Sequence, residues 1–181
     1  MKVEATDLPS VLLLTPTVYR DERGAFQETF NLKRMVEAGL PDSWVQDNFS
    51  VSKKNVLRGI HYQLVQPQGK LVRVTHGAVL DVAVDLRRSS YAFGKHVAVE
   101  LSAENGKMLW IPAGFGHAFV VLSEEAGFAY KVTDYYSQVG ERTILWNDPD
   151  LAIDWPVSKE DAIVSEKDRR GEGFRSAEVF E

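Results

Sequence analysis

One histidine sits among cations in Val56-Leu57-Arg58-Gly59-Ile60-His61-Tyr62-Gln63 and the nearby Gln68-Gly69-Lys70-Leu71-Val72-Arg73. An imidazole takes a proton readily near neutral pH, and a fixed ammonium stabilises the anion that proton removal leaves behind. Both stretches have the alternation of a strand, which sends successive side chains to opposite faces. A base and a fixed positive charge can therefore share one pocket.

Alternation assigns the faces. Leu57, Gly59, His61 and Gln63 share one face of their strand, and Lys70, Val72 and Val74 share one face of the next. In Phe128-Ala129-Tyr130-Lys131-Val132-Thr133, Phe128, Tyr130 and Val132 lie together. His117 and Phe119 alternate in the same way after the turn Pro112-Ala113-Gly114-Phe115-Gly116. If these faces line one interior, it holds His61, Lys70, His117 and Tyr130 among apolar walls, where such groups usually have a task. Each also has a plainer reading: His61 as a hydrogen-bonded core histidine, Lys70 as a solvated turn residue, Tyr130 as a packing aromatic. His76 and His96 read as ordinary turn or surface residues, and the pairs Arg87-Arg88 and Arg169-Arg170 as solvated turn charges.

The elements that must position these groups are mostly strands. Residues 78–86, 96–101, 107–111 and 119–122 are short, β-branched or aromatic, and bounded by Gly, Pro, Asn or Ser. Many such strands at regular spacing predict an all-β fold, an antiparallel double-sheet jelly roll with a few short helices. A helix is expected over Leu32 to Ala38, with Asn31 as N-cap and Gly39 beyond its end. A second is expected to begin near Ser158, where Lys159-Glu160-Asp161 place acids in a first turn. No repeat or linker divides the chain, so residues 1–181 read as a single domain, with the polar stretch 169–181 as a loosely held tail.

Composition narrows the function. A chain of 181 residues, 44% hydrophobic, can bury about 70% of its unfolded surface around one core without staples. It has no cysteine, which excludes disulfides, thiolate nucleophiles and cysteine-based zinc sites. The first residues are acidic where a signal peptide would be basic, and the early apolar run from Val11 to Leu14 is far short of the ~20 residues a membrane span needs. The expectation is a cytoplasmic protein with no membrane partner. A formal net charge of -5 argues against a nucleic-acid polymer as partner. It leaves room for a small anionic ligand held by local cations, and Arg23, Arg58, Lys70 and Arg73 are the ones embedded in ordered segments.

Gly106, Pro112, Gly114 and His117 fit the spacing G-x5-P-x-G-x2-H, which resembles the second motif of cupins, many of which hold a metal through three histidines and a glutamate. The first cupin motif needs an H-x-H pair, and this chain offers His61-Tyr62-Gln63. A closed set of ligands cannot be assembled from what remains, so the barrel reads as metal-free.

Six motifs then occur in order: Asp21-Glu22-Arg23-Gly24, Gln46-Asp47-Asn48, the stretch 57–63, the stretch 68–73, Tyr130-Lys131-Val132-Thr133-Asp134-Tyr135-Tyr136 and Ser165-Glu166-Lys167-Asp168. Together they resemble the dTDP-4-dehydrorhamnose 3,5-epimerase family over nearly the whole chain up to Asp168. The resemblance implies a homodimeric jelly roll without cofactor that inverts C3 and C5 of dTDP-4-dehydro-6-deoxy-glucose, giving dTDP-4-dehydro-L-rhamnose in dTDP-rhamnose biosynthesis. It implies His61 as base, Asp168 as the carboxylate that orients it, Lys70 at the C4 oxyanion and Tyr130 as the acid on the opposite face. By the same resemblance Arg23, Arg58 and Lys167 meet the diphosphate, while Gln46, Asn48 and Glu28 hydrogen-bond sugar or base. Phe26 and Tyr136 stack on thymine, His117 sits near the sugar and Glu141 lies toward the base. The segment from Arg23 to Glu28 is expected to come from a neighbouring subunit. Three other readings stay open on the residues alone: an epimerase of C3 or C5 only or a ketoisomerase, a metal-dependent cupin enzyme, and a non-catalytic nucleotide-sugar binder.

Overall fold

The structure, a computed structural model, describes residues 1–181. Short strands with apolar residues at every second position pair into two six-stranded sheets and one isolated hairpin. In chain order these are β1 (Lys2–Ala5), β2 (Leu12–Thr15), β3 (Val18–Asp21), β4 (Gly24–Gln27), helix α1 (Leu32–Glu37), β5 (Gln46–Lys53), β6 (Val56–Gln63), β7 (Lys70–His76) and β8 (Ala78–Asp85). They continue with β9 (His96–Ser102), β10 (Met108–Ile111), β11 (Phe115–Val121), β12 (Glu125–Val132), β13 (Glu141–Thr143), β14 (Ile163–Val164) and α2 (Glu166–Arg169).

The first sheet runs β1-β2-β10-β7-β12-β5, and the second runs β13-β6-β11-β8-β9 with β14 added in parallel to β6. Every other pairing is antiparallel, which is the double-sheet jelly roll expected. Between the sheets lies a core containing Val72, Val74 and Phe128 from the first and Val79, Ala83 and Phe119 from the second. The Phe119 and Phe128 rings stack with centroids 4.1 Å apart, and Phe128 also stacks on His117 at 5.8 Å. An aromatic ladder thus joins the dry core to the imidazole, which limits how either ring can move.

Two corrections concern local structure. Alternation along β6 is broken: His117 pairs with His61 but Phe119 pairs with Arg58, a shift that puts one extra residue on β6. Arg58 and His61 therefore look inward together, while Leu57 joins an outer cluster with Val120 and Val164, and Tyr62 joins another. Gly59 sits at this irregularity with φ +117°, and a Cβ there would lie 2.5 Å from the His117 carbonyl oxygen. The helix expected near Ser158 is only a turn. The Ser158 hydroxyl accepts from the Asp161 amide at 3.1 Å, but no apolar stripe follows to bury a helix against the body. The helix forms instead at Glu166–Arg169, where Ser165 caps by accepting from the Asp168 amide.

The C-terminal stretch is also not loose. Ala177 is buried, Phe180 bridges to Arg87, and the Tyr62 hydroxyl donates to the Glu178 carbonyl. Apolar residues spaced too irregularly to read as an element, Phe174, Ala177, Val179 and Phe180, cover the outer face of the second sheet. Arg87 likewise is no solvated turn charge: it binds Asp85 through two nitrogens and lies 4.5 Å over the Phe115 ring. Helix α1 ends within a residue of its expected span and closes part of the outer face of the first sheet by burying Met35.

Candidate active site

A cavity of about 320 Å³ opens between the sheets, lined by Asn48, Arg58, His61, Lys70, His117, Phe119, Phe128 and Tyr130, among others. His61 and His117 come from β6 and β11 of the second sheet, whereas Lys70 and Tyr130 come from β7 and β12 of the first. Imidazole and phenol thus stand on opposing walls, with the ammonium group on the phenol's side.

His61 is oriented by a short polar contact in the cavity wall. Its Nε2 lies 2.5 Å from Asp168 Oδ1, a pairing across 107 residues, and Asp168 is only 2% exposed. Parallel pairing of β14 on β6 delivers the chain to Ser165, whose cap turns α2 so that Asp168 points back at the strand. Burial alone would raise the Asp168 pKa, but hydrogen bonds from His61 and the Gly59 amide outweigh it and hold the carboxyl below its ordinary range. An ionised Asp168 accepts only, so Nε2 carries the proton in the neutral ring and Nδ1 is left free to take one.

Burial pushes the Tyr130 phenol up against the opposing influence of Arg58, so at neutral pH it is a donor with its proton in place. Burial brings Lys70 down to about 8, countered chiefly by Asp81. Asp81 is the group that sequence reasoning passed over. It is fully buried on β8, holds His117 Nε2 at 2.9 Å through Oδ2, and leaves Oδ1 without any partner. An acid between the core residues Val79 and Ala83 on one strand face was the signal that would have found it.

At the mouth, Glu141 joins two elements: one oxygen pairs with Lys167, the other accepts from the Tyr136 hydroxyl at 3.0 Å. Burial would raise Glu141, but Lys167 outweighs it and the carboxyl lies below its usual range. Gln46 donates to Asn48 at 2.9 Å and accepts from the Tyr136 amide at 3.2 Å, which ties the β5 rim to the same mouth. Arg58, held by the Ser52 hydroxyl at 3.0 Å, also lines an adjoining cavity of about 430 Å³ with His61, Lys167 and Asp168. Two cations beside the histidine suit a diphosphate. No group of three or more His, Asp or Glu side chains is gathered where it could hold a metal ion.

Three expected contacts are not brought to this cavity within one chain. Arg23 pairs with Asp21 at 2.6 Å, Phe26 is 69% exposed, and Glu28 pairs with Arg34 at 2.9 Å. The first two stand on the β3–β4 hairpin, which pairs with no other strand.

Comparison with known proteins agrees with the architecture and the motifs. The family model described as dTDP-4-dehydrorhamnose 3,5-epimerase matches residues 5–176. A dTDP-4-dehydrorhamnose 3,5-epimerase of Pseudomonas aeruginosa is 54% identical over 181 residues, 99% of each chain. A crystal structure of a dTDP-6-deoxy-D-glucose-3,5-epimerase from Legionella pneumophila, in complex with dTDP-4-keto-L-rhamnose, superposes with a TM-score of 0.95 at 48% identity, covering 98% of this chain and 94% of that one. A 3'-monoepimerase from Streptomyces bikiniensis in complex with dTDP-quinovose gives a TM-score of 0.89 at 32% identity, covering 94% and 87%.

Proposed function

The chain belongs to the dTDP-4-dehydrorhamnose 3,5-epimerase family, and on that premise we propose that His61, Lys70 and Tyr130 invert C3 and C5 of dTDP-4-dehydro-6-deoxy-glucose. The observation that carries this reading is the placement of an imidazole and a phenol on opposite sheets of one cavity. Protons on C3 and C5 both flank the C4 ketone. His61 Nδ1 takes one of them, the C–H electron pair becomes a C=C bond to C4, and the C4 carbonyl π pair moves onto its oxygen as negative charge. Lys70 stabilises that charge in a cavity drier than bulk water. Tyr130 then donates its proton to the opposite face of the same carbon, and solvent restores both groups. Asp168 fixes the tautomer of His61 and favours the imidazolium that forms.

The nucleotide half is assigned in the same way. Arg58 and Lys167 meet the diphosphate, Gln46 and Asn48 bond sugar or base, His117 lies near the sugar, and Tyr136 with Glu141 borders thymine. Incubation with the dTDP-ketosugar in deuterated water, followed by NMR, tests the activity: deuterium enters both C3 and C5, and the L-configured product accumulates. Exchange and inversion at a single carbon would replace this reading with a monoepimerase, and no exchange at all would leave a binder.

Arg23, Phe26 and Glu28 complete the site only from a second copy, so the working unit is a homodimer. The unpaired hairpin, with Tyr19 and Phe26 largely exposed, supports this, as do Phe49 and Val51 on the outer face of the first sheet. Sedimentation should show twice the 20.3 kDa chain mass, and Phe26→Ala should raise KM about tenfold while kcat changes little. A monomer that turns over normally would refute it. The cytoplasmic setting expected from the sequence stays part of the proposal; no helix is long and apolar enough to cross a membrane.

A further inference from the structure

Among the buried side-chain oxygens and nitrogens, a single atom has no hydrogen-bond partner: Oδ1 of Asp81. A buried carboxylate oxygen left unpaired costs stability, so its retention calls for a reason. Asp81 lies on β8 opposite Phe119, between core residues, in the floor beneath the cavity. Its other oxygen holds His117, which lines the cavity beside Lys70.

We propose that Asp81 is a positioning residue for the reaction: one oxygen anchors His117 to the cavity floor, and the unpaired one supplies the negative field that keeps Lys70 charged beneath the C4 oxygen. This rests on the reading of Lys70 given above. An ammonium in an apolar pocket tends to release its proton, and a neutral amine cannot stabilise an enolate. The charged and titratable groups around Lys70 are Arg58 and His61 from β6, His117 from β11 and Tyr130 from β12, which share its cavity, and Asp81 from β8, Glu141 from β13 and Lys167 from α2, which act on it through their charge.

Among these, Asp81 is the strongest influence favouring the charged amine, ahead of Glu141, while Lys167 opposes it. Glu141 is already engaged by Lys167 and Tyr136 at the mouth, and Asp168 by His61. The free oxygen of Asp81 is thus the anionic group in the floor that no cation neutralises. Burial holds His117 below its ordinary pKa despite Asp81, so the ring stays neutral and donates Nε2–H to the carboxylate without cancelling its charge.

The sign of the effect follows. Removing the charge lowers the Lys70 pKa below its present value of about 8, so activity that needs the ammonium fails at lower pH. The test is the pH profile of kcat for the parent, Asp81→Asn and Asp81→Glu, with the dTDP-ketosugar at saturation. Asp81→Asn should move the alkaline limb down by about one pH unit or more and cut kcat at pH 8 about fivefold or more, with KM nearly unchanged. Asp81→Glu, which keeps the charge, should leave the limb in place. An unmoved limb in the asparagine variant overturns the proposal. Should that variant not fold, a limb displaced by a unit in the glutamate variant overturns it equally.

Lys70→Met with and without Asp81→Asn separates the two ideas. If Asp81 acts through Lys70, the second change adds less than about threefold to the loss caused by the first. Full multiplication of the two losses overturns the inference and leaves Lys70 standing. Retained activity in Lys70→Met overturns the reading of Lys70 itself.

Discussion

Replacing His61 with alanine should abolish solvent exchange at both C3 and C5 of the ketosugar and lower turnover by about 10²- to 10⁴-fold or more, the contribution of a positioned base. Both losses are expected together because the His61 imidazole has its Nε2 committed to Asp168, leaving one nitrogen to serve either carbon, while the cavity's other imidazole, His117, is buried and bonded to Asp81. The substitution also strips a nearly buried carboxylate of its closest donor, although the Gly59 amide remains within 3.4 Å. Some stability loss, about 1–3 kcal/mol, accompanies that orphaned group. His61→Asn is the control, since it keeps an N–H donor but no base. It should match the alanine variant in lost exchange while melting closer to the parent. Exchange surviving at either carbon in both variants would assign proton removal to another group.

How much of this was legible in the chain differs from element to element. Strand alternation placed Lys70, Val72, Phe128, Tyr130, His117 and Phe119 on inward faces correctly, because each lies on a strand with one side against the core. It misplaced Leu57 because the register shift between β6 and β11 is set by the pairing strand and the Gly59 conformation, neither of which leaves a period in the sequence. The partnership of Asp168 with His61 joins positions 107 residues apart, and no local pattern announces such a contact. Only the resemblance of the ordered motifs pointed to it.

The C-terminal residues show the complementary failure. Their polar composition reads as solvated, yet backbone bridges from Glu172 to Ile144 and from Phe180 to Arg87 tie them to the second sheet. Those bonds are made by main-chain groups every residue carries, so composition is silent about them. The β3–β4 hairpin fails in another way: its strands were motif-bearing and ordered, but a single chain offers them no third strand to pair with. A site shared between copies, as proposed above, would be visible to residue-type reasoning and invisible to the geometry of one copy.

Tyr130→Phe should divide the reaction where His61→Ala stops it. The ring packs on the core beside Phe128, 6.1 Å between centroids, and phenylalanine preserves that packing, so the fold and sugar binding should be close to those of the parent. The hydroxyl is the part that matters. Burial holds it protonated, so on the proposed mechanism the parent would deliver a proton from the first sheet to a carbanion made from the second. Without it, His61 still removes a proton, Lys70 still holds the enolate, and the imidazolium, having exchanged with solvent, returns deuterium to the face it came from. Deuterium should therefore accumulate in the unepimerised ketosugar while the L-product falls by about 10²- to 10³-fold. Product forming at the parent rate would mean that another donor serves the far face. Loss of both exchange and binding would make Tyr130 a wall of the cavity rather than its acid. Exchange without inversion is the outcome that only two groups on opposite sheets can give, since a single base serving both faces would lose neither step when the phenol is removed.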